Sequence, residues 1–146
     1  MLTATKPWLL ITALAALLAI GAACGSDNAE EAESTDGAQP SYVDVSPQDL
    51  SSMLERKDFL LVNVHIPYAG EIGDTDLFVP YDEIGDRFQE LPSQQDTRIA
   101  LYCRSGGMSA IAASTLADAG YTSVWNLDGG MIAWEEAGYL LLNEQP

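Results

Sequence analysis

Apolar residues in this chain gather in short runs, at 42–45, 59–64, 77–79, 99–102 and 123–127. The second run, Phe-Leu-Leu-Val-Asn-Val, is apolar at nearly every position. Such runs mark strands covered on both faces, and hence a parallel sheet between helices. The run at 77–79 is followed by Pro80, which donates no ladder bond and so assigns it to a sheet edge. Between the runs the spacing changes. Leu50, Met53, Leu54 and Lys57 recur at i, i+3, i+4 and i+7, predicting an amphipathic helix over 47–57. Ser46 is a good N-cap for it, and Pro47 takes the first helical position, where its missing N–H costs little. Residues 82–91 read as a helical stretch interrupted by Gly85. Residues 109–119 form an alanine-rich helix capped by Gly120, and 131–137 a last helix stopped by Gly138, after a turn at 128–130. Five strands alternating with helices predict a three-layer α/β domain: an open, parallel, five-stranded sheet with helices on both faces. The site of such a domain lies at the carboxyl ends of its strands.

The N-terminal 40 residues follow a different pattern. Residues 1–24 carry one cation, Lys6, then an uncharged apolar run over 8–23. That run is short for a membrane span and suits the hydrophobic region of an export signal. It ends Gly21-Ala22-Ala23-Cys24, which resembles a bacterial lipoprotein signal, although Gly21 stands where Leu or a similar residue is usual. The resemblance implies lipidation of Cys24. An uncleaved anchor and an ordinary cleaved signal are the alternatives, and all three put the domain outside the cytoplasm. Residues 25–40 are acidic and lack any large apolar side chain, so they read as a disordered linker. The folded domain is expected over 41–146.

Composition narrows the partners. The chain has 22 acidic and 6 basic residues, a formal charge of −16, and loss of the segment carrying Lys6 makes it one unit more negative. This field disfavours nucleic acid and anionic surfaces, so the expected membrane contact is the lipid on Cys24. Most of the charge reads as solubility, and a monomer is expected. There are 2 cysteines; once Cys24 carries lipid, Cys103 is the one remaining thiol. An intrachain disulfide or a cysteine-pair metal site is then impossible, and no metal or cofactor is expected.

Candidate chemistry centres on Cys103-Arg-Ser-Gly-Gly-Met-Ser109, directly after the 99–102 strand. Gly106 and Gly107 allow successive N–H groups to turn inward, making an anion-holding nest that runs into a helix N-terminus. A sulfur at its centre is stabilised as thiolate. Arg104 adds positive charge at the edge, and Ser105 and Ser109 offer hydroxyl donors. The alternative is a cysteine that merely packs; the glycines, the arginine and the helix start argue for reactivity.

Two segments in this order resemble the rhodanese family: LYCRSGGMS at 101–109, and AGYTSVWNLDGGMIAWEEAGYLL at 119–141. The likeness covers about 42–142. It implies a rhodanese-like fold and a sulfurtransferase in which Cys103 attacks the outer sulfur of a donor and becomes a persulfide, with Arg104 to Ser109 as the binding loop. The implied partner is a small sulfur donor or a persulfide-bearing protein. The common loop reads C-R-S-G-x-R-S, and Met108 replaces its second arginine, which implies weak use of thiosulfate. The second strand ends Asn63-Val64-His65 where the family has D-V-R. His65, the only histidine, borders the pocket or serves as a structural hydrogen-bonding residue. The acidic residues Glu71, Asp74 and Asp76 read as a solvated loop. Two competing functions remain: a non-catalytic sulfur-carrier or docking module of the same fold, which Met108 favours, and a phosphatase of related fold. The phosphatase needs an arginine six positions after its cysteine to grip phosphate, and that position is Ser109.

Overall fold

The computed structural model describes residues 41–142. The predicted segments 1–24 and 25–40, with Cys24, lie outside the described residues. Along the chain run β1 (Val43–Val45), α1 (Pro47–Leu54), β2 (Leu60–Asn63), β3 (Glu71–Ile72), β4 (Leu77–Phe78), β5 (Ile99–Tyr102), α2 (Gly107–Asp118), β6 (Val124–Leu127), α3 (Gly130–Glu136) and β7 (Leu141–Leu142). Five strands form one parallel sheet in the order β1-β6-β5-β2-β4, with β5 at its centre. The α/β architecture is therefore the predicted one, with β4 on an edge.

Side chains alternate along the central strands and so divide the core. Ile99, Leu101 and Cys103 face α2, where Ala112, Ala113 and Leu116 pack against them. The small residues of α2 let it lie close to the sheet. Ala100 and Tyr102 face the other way, among Leu50 of α1 and Met131 and Trp134 of α3. A fully buried leucine contributes roughly 1.5–3 kcal/mol, and Leu50, Leu61, Leu101, Leu116 and Leu127 are all at or near zero exposure.

The start of α1 is as predicted: the Ser46 hydroxyl accepts from Asp49 N–H, and the Asp49 carboxylate accepts from Ser46 N–H. The helix ends at Leu54 rather than residue 57, with Lys57 drawn to Asp76 at 2.5 Å. The stretch 82–91 is not an α-helix. Ile84, Phe88 and Leu91 do turn inward, but through two single 3-10 turns, Ile84–Asp86 and Phe88–Glu90. Arg87, at φ −117° and ψ 25°, breaks the helical path between them.

The acidic segment also differs from expectation. Glu71 and Ile72 pair antiparallel with Leu142 and Leu141, so the C-terminal strand clamps what read as a loop. The Asp76 carboxylate accepts from Leu61 N–H at 2.7 Å and from Lys57, closing the edge of β2 just before β4 begins. Asp74 alone keeps the turn character expected of the segment, exposed and at φ 63°.

Candidate active site

Cys103 leaves the central strand at its carboxyl end, and the chain turns at once into α2. Gly106 caps that helix at φ 88°, a left-handed conformation that glycine adopts without steric cost. This turn aims the Gly106 N–H at Cys103 Sγ, 3.1 Å away. Ser109, one turn into the helix, puts its hydroxyl 3.4 Å from the same sulfur and 3.1 Å from Gly106 O. Its single proton cannot serve both acceptors. Gly106 O already accepts Ala110 N–H at 3.0 Å, which leaves the hydroxyl free to turn to a charged sulfur. The amides of Gly107, Met108 and Ser109 begin the helix, and such first-turn N–H groups have no intrahelical acceptor. They add the positive end of a helix to the sulfur's surroundings.

Helix α3 holds the loop from below. Met131 N–H donates to Cys103 O at 2.9 Å and Ile132 N–H to Arg104 O at 3.0 Å. The loop carbonyls thus cap α3 while the Gly106 amide faces the sulfur. Contact this close depends on Gly130, at φ 60°: a Cβ there would sit 2.3 Å from Cys103 O and 2.8 Å from Gly106 N. Gly106 is close but less tight, since a Cβ on it would lie 3.1 Å from Gly129 N.

Each predicted site residue can now be placed. Cys103 is 1 % exposed, and Gly106 and Ser109 are buried beside it. Arg104 and Ser105 are exposed on the outer side of the loop, and Arg104 has no ion-pair partner among the described residues. Gly107 is helical, so the left-handed turn rests on Gly106 alone, and nothing would lie within 4 Å of a Cβ at 107. Met108 is half-buried and packs on the core beneath α2.

His65 follows β2 and is 9 % exposed. Its backbone N–H donates to Asn63 Oδ1 at 3.0 Å, while its Nδ1 is buried without a hydrogen-bond partner. Burial, and secondly the charge of Arg104, hold its pKa below the usual histidine value. Beside Cys103 in the chain, Tyr102 is fully buried. Its hydroxyl accepts from Ile72 N–H at 3.0 Å and lies 2.7 Å from Thr75 Oγ1, and burial pushes the phenol far above its ordinary range. Tyr102 therefore holds the β3 segment under the site as a neutral hydrogen-bonding group.

Sequence reasoning missed the part played by Gly129 and Gly130. The signal was present, as two glycines after a strand, but their closeness to the cysteine loop is a tertiary fact.

This arrangement offers a buried sulfur with aimed N–H and O–H donors. Residues 28–137 match the family model described as the Rhodanese-like domain. The chain is 37 % identical over 99 residues to a sulfurtransferase of Allochromatium vinosum, covering 65 % of this chain and 90 % of that protein. Among solved structures it is similar to a rhodanese-related protein from Thermoplasma volcanium, with TM-score 0.60 and 25 % identity over 70 % of this chain and all of that one. It is also similar to a thiosulfate sulfurtransferase from Pseudomonas aeruginosa, with TM-score 0.60 and 27 % identity. That match covers 70 % of this chain but 20 % of the longer protein.

Proposed function

The chain belongs to the rhodanese-like domain family, and from that premise we propose that it is a sulfurtransferase working through a persulfide on Cys103. The observation that carries this reading is the pair of donors on Cys103 Sγ, Gly106 N–H at 3.1 Å and Ser109 O–H at 3.4 Å. Both point at the atom that attacks as a thiolate. The Cys103 thiolate attacks the outer sulfur of a donor R–S–SH. A new S–S bond forms, the donor's S–S bond breaks, and R–S⁻ departs with the electron pair. An acceptor thiolate then attacks the outer sulfur of Cys103–S–SH, and Cys103 leaves as thiolate. With thiosulfate as donor the leaving group is sulfite. That route is slow here, because Met108 lies against the core and Arg104 is left as the only cation of the loop. The same replacement favours the second reading, a carrier that holds sulfane sulfur without rapid turnover.

We place the domain outside the cytoplasm, tethered through lipid on Cys24 and the acidic 25–40 segment, and acting as a monomer without cofactor. Support for this comes from the apolar run ending Gly-Ala-Ala-Cys.

The test is to incubate the full chain carrying Cys24→Ala, with Cys103 intact or replaced by serine, with polysulfide and to weigh each by mass spectrometry. The chain that keeps Cys103 should gain one sulfur atom that cyanide removes, and the serine variant none. A cyanide-labile sulfur on the serine variant would overturn the assignment.

A further inference from the structure

Cys103 is buried, and the elements around it carry exposed apolar side chains. Helices α2 and α3 lie on opposite faces of the sheet and both start at the cysteine loop. Each presents an isoleucine to solvent within its first turns: Ile111 at 56 % exposure and Ile132 at 39 %. Phe78, the last residue of β4, is 39 % exposed at the same carboxyl edge. Large apolar side chains face water elsewhere too, at Val43, Leu140 and Leu142, and the Phe78 ring meets Tyr68 edge-on at 5.7 Å. What sets Ile111, Ile132 and Phe78 apart is that they belong to elements that begin or end at the rim of the reactive sulfur.

Charge on this edge has one dominant sign. Asp128 heads the turn before α3, and Asp82 and Glu83 follow Pro80, whose neighbour Tyr81 is bonded to Val64 O at the end of β2. All three acids are exposed, but Glu83 is paired with Arg87 at 3.4 Å, which leaves Asp82 and Asp128 as the acids to meet a partner, and Arg104 is the one cation of the loop beside them. Elsewhere Lys57 and Arg98 are engaged in ion pairs.

From the apolar flanks and the acidic rim we infer that the acceptor is the cysteine of a basic protein. It is presented on a segment whose apolar side chains rest on Ile111 and Ile132 while its cations meet Asp128 and Asp82. This rests on the sulfurtransferase reading and names the partner of the same site. Loading extends the reacting atom outward by an S–S bond of about 2 Å, toward such a segment. Opposite charge speeds the encounter, and apolar contact holds the thiol at the mouth. Small anionic thiols gain neither advantage.

The experiment loads the full chain with polysulfide and follows loss of the Cys103 persulfide to three acceptors. These are a short peptide with one cysteine among leucines and lysines, the same peptide with glutamates for lysines, and 2-mercaptoethanol. Each rate is divided by that thiol's rate with neutral dithiodipyridine, which removes differences in intrinsic reactivity. The lysine peptide should react at least about tenfold faster than the glutamate peptide at low salt, with the gap closing as salt is raised. The double variant Ile111→Ser, Ile132→Ser should slow the lysine peptide several-fold and leave 2-mercaptoethanol unchanged. Equal rates for the two peptides would overturn the inference, as would a double variant that slows all three thiols alike. If Cys103 takes up no sulfur, the sulfurtransferase reading itself fails.

Discussion

The two rims of the sheet make opposite use of space. At the rim where the strands begin lies an open groove of about 680 Å³, bordered by Asp49, Ser52, Met53, Arg56, Asp58, Arg98 and Trp125. Its size suggests a ligand, but its groups largely satisfy one another. Arg98 is paired with Asp58, and Trp125 stands edge-on to Phe59 at 5.9 Å between ring centres. At the rim where the strands end, Cys103 is buried, with an amide and a hydroxyl aimed at its sulfur. The contrast teaches that aimed donors, rather than the size of an opening, mark the chemistry of this fold.

The sharpest way to break that contrast is to unseat the loop without touching its chemistry. Gly130→Ala puts a methyl into backbone 2.3 Å away and forces a left-handed φ on alanine. Strain of this kind costs about 1–3 kcal/mol before any clash is counted. Melting temperature should fall by more than about 5 °C, and polysulfide loading should be lost. Gly73→Ala, where no atom lies within 4 Å, is the control and should behave as wild type. Loading at the normal rate in Gly130→Ala would mean that the docking of α3 does not shape the site.

Removing one aimed donor comes next. Hydrogen bonds to charged groups contribute about 1.5–3 kcal/mol, so Ser109→Ala should slow loading roughly ten- to a hundredfold, read as the initial rate of sulfur uptake. Its effect on stability should be the smaller of the two, because Gly106 O retains its bond from Ala110. A variant that loads normally would leave the Gly106 amide as the sole effective donor.

The smallest effect is expected in the groove. Arg56 has no ion-pair partner there, and Arg56→Ser should change unfolding free energy by no more than about 0.5 kcal/mol and leave loading unchanged. A slowed uptake of sulfur would show that the two rims are coupled and that the contrast between them is too simple.

Much of this was legible along the chain, for local reasons. The strands announced themselves because a sheet covered on both faces needs apolar side chains at successive positions, as in Leu60 to Val62. Cys103 was legible because Gly106 and the start of α2 follow it within a few residues. What escaped depended on distant partners. Asp76 looked like one more solvated acid, yet it closes the edge of β2 with Leu61, 15 positions away. The pair β3 and β7 joins residues so far apart, and so few, that no periodicity could reveal it. Ile84, Phe88 and Leu91 did show helical spacing, but 3-10 turns bury the same side chains. Hydrophobic spacing reports which residues turn inward more faithfully than which helix turns them.

The parallel sheet has a directional consequence. Every strand points the same way, so the segment that precedes residue 41 joins the domain at the opening rim of β1, while the thiol emerges at the far rim of its neighbours. The start of β1 and the thiol therefore stand at opposite ends of the sheet, and a bulky group attached at residue 41 would leave the mouth of the site clear.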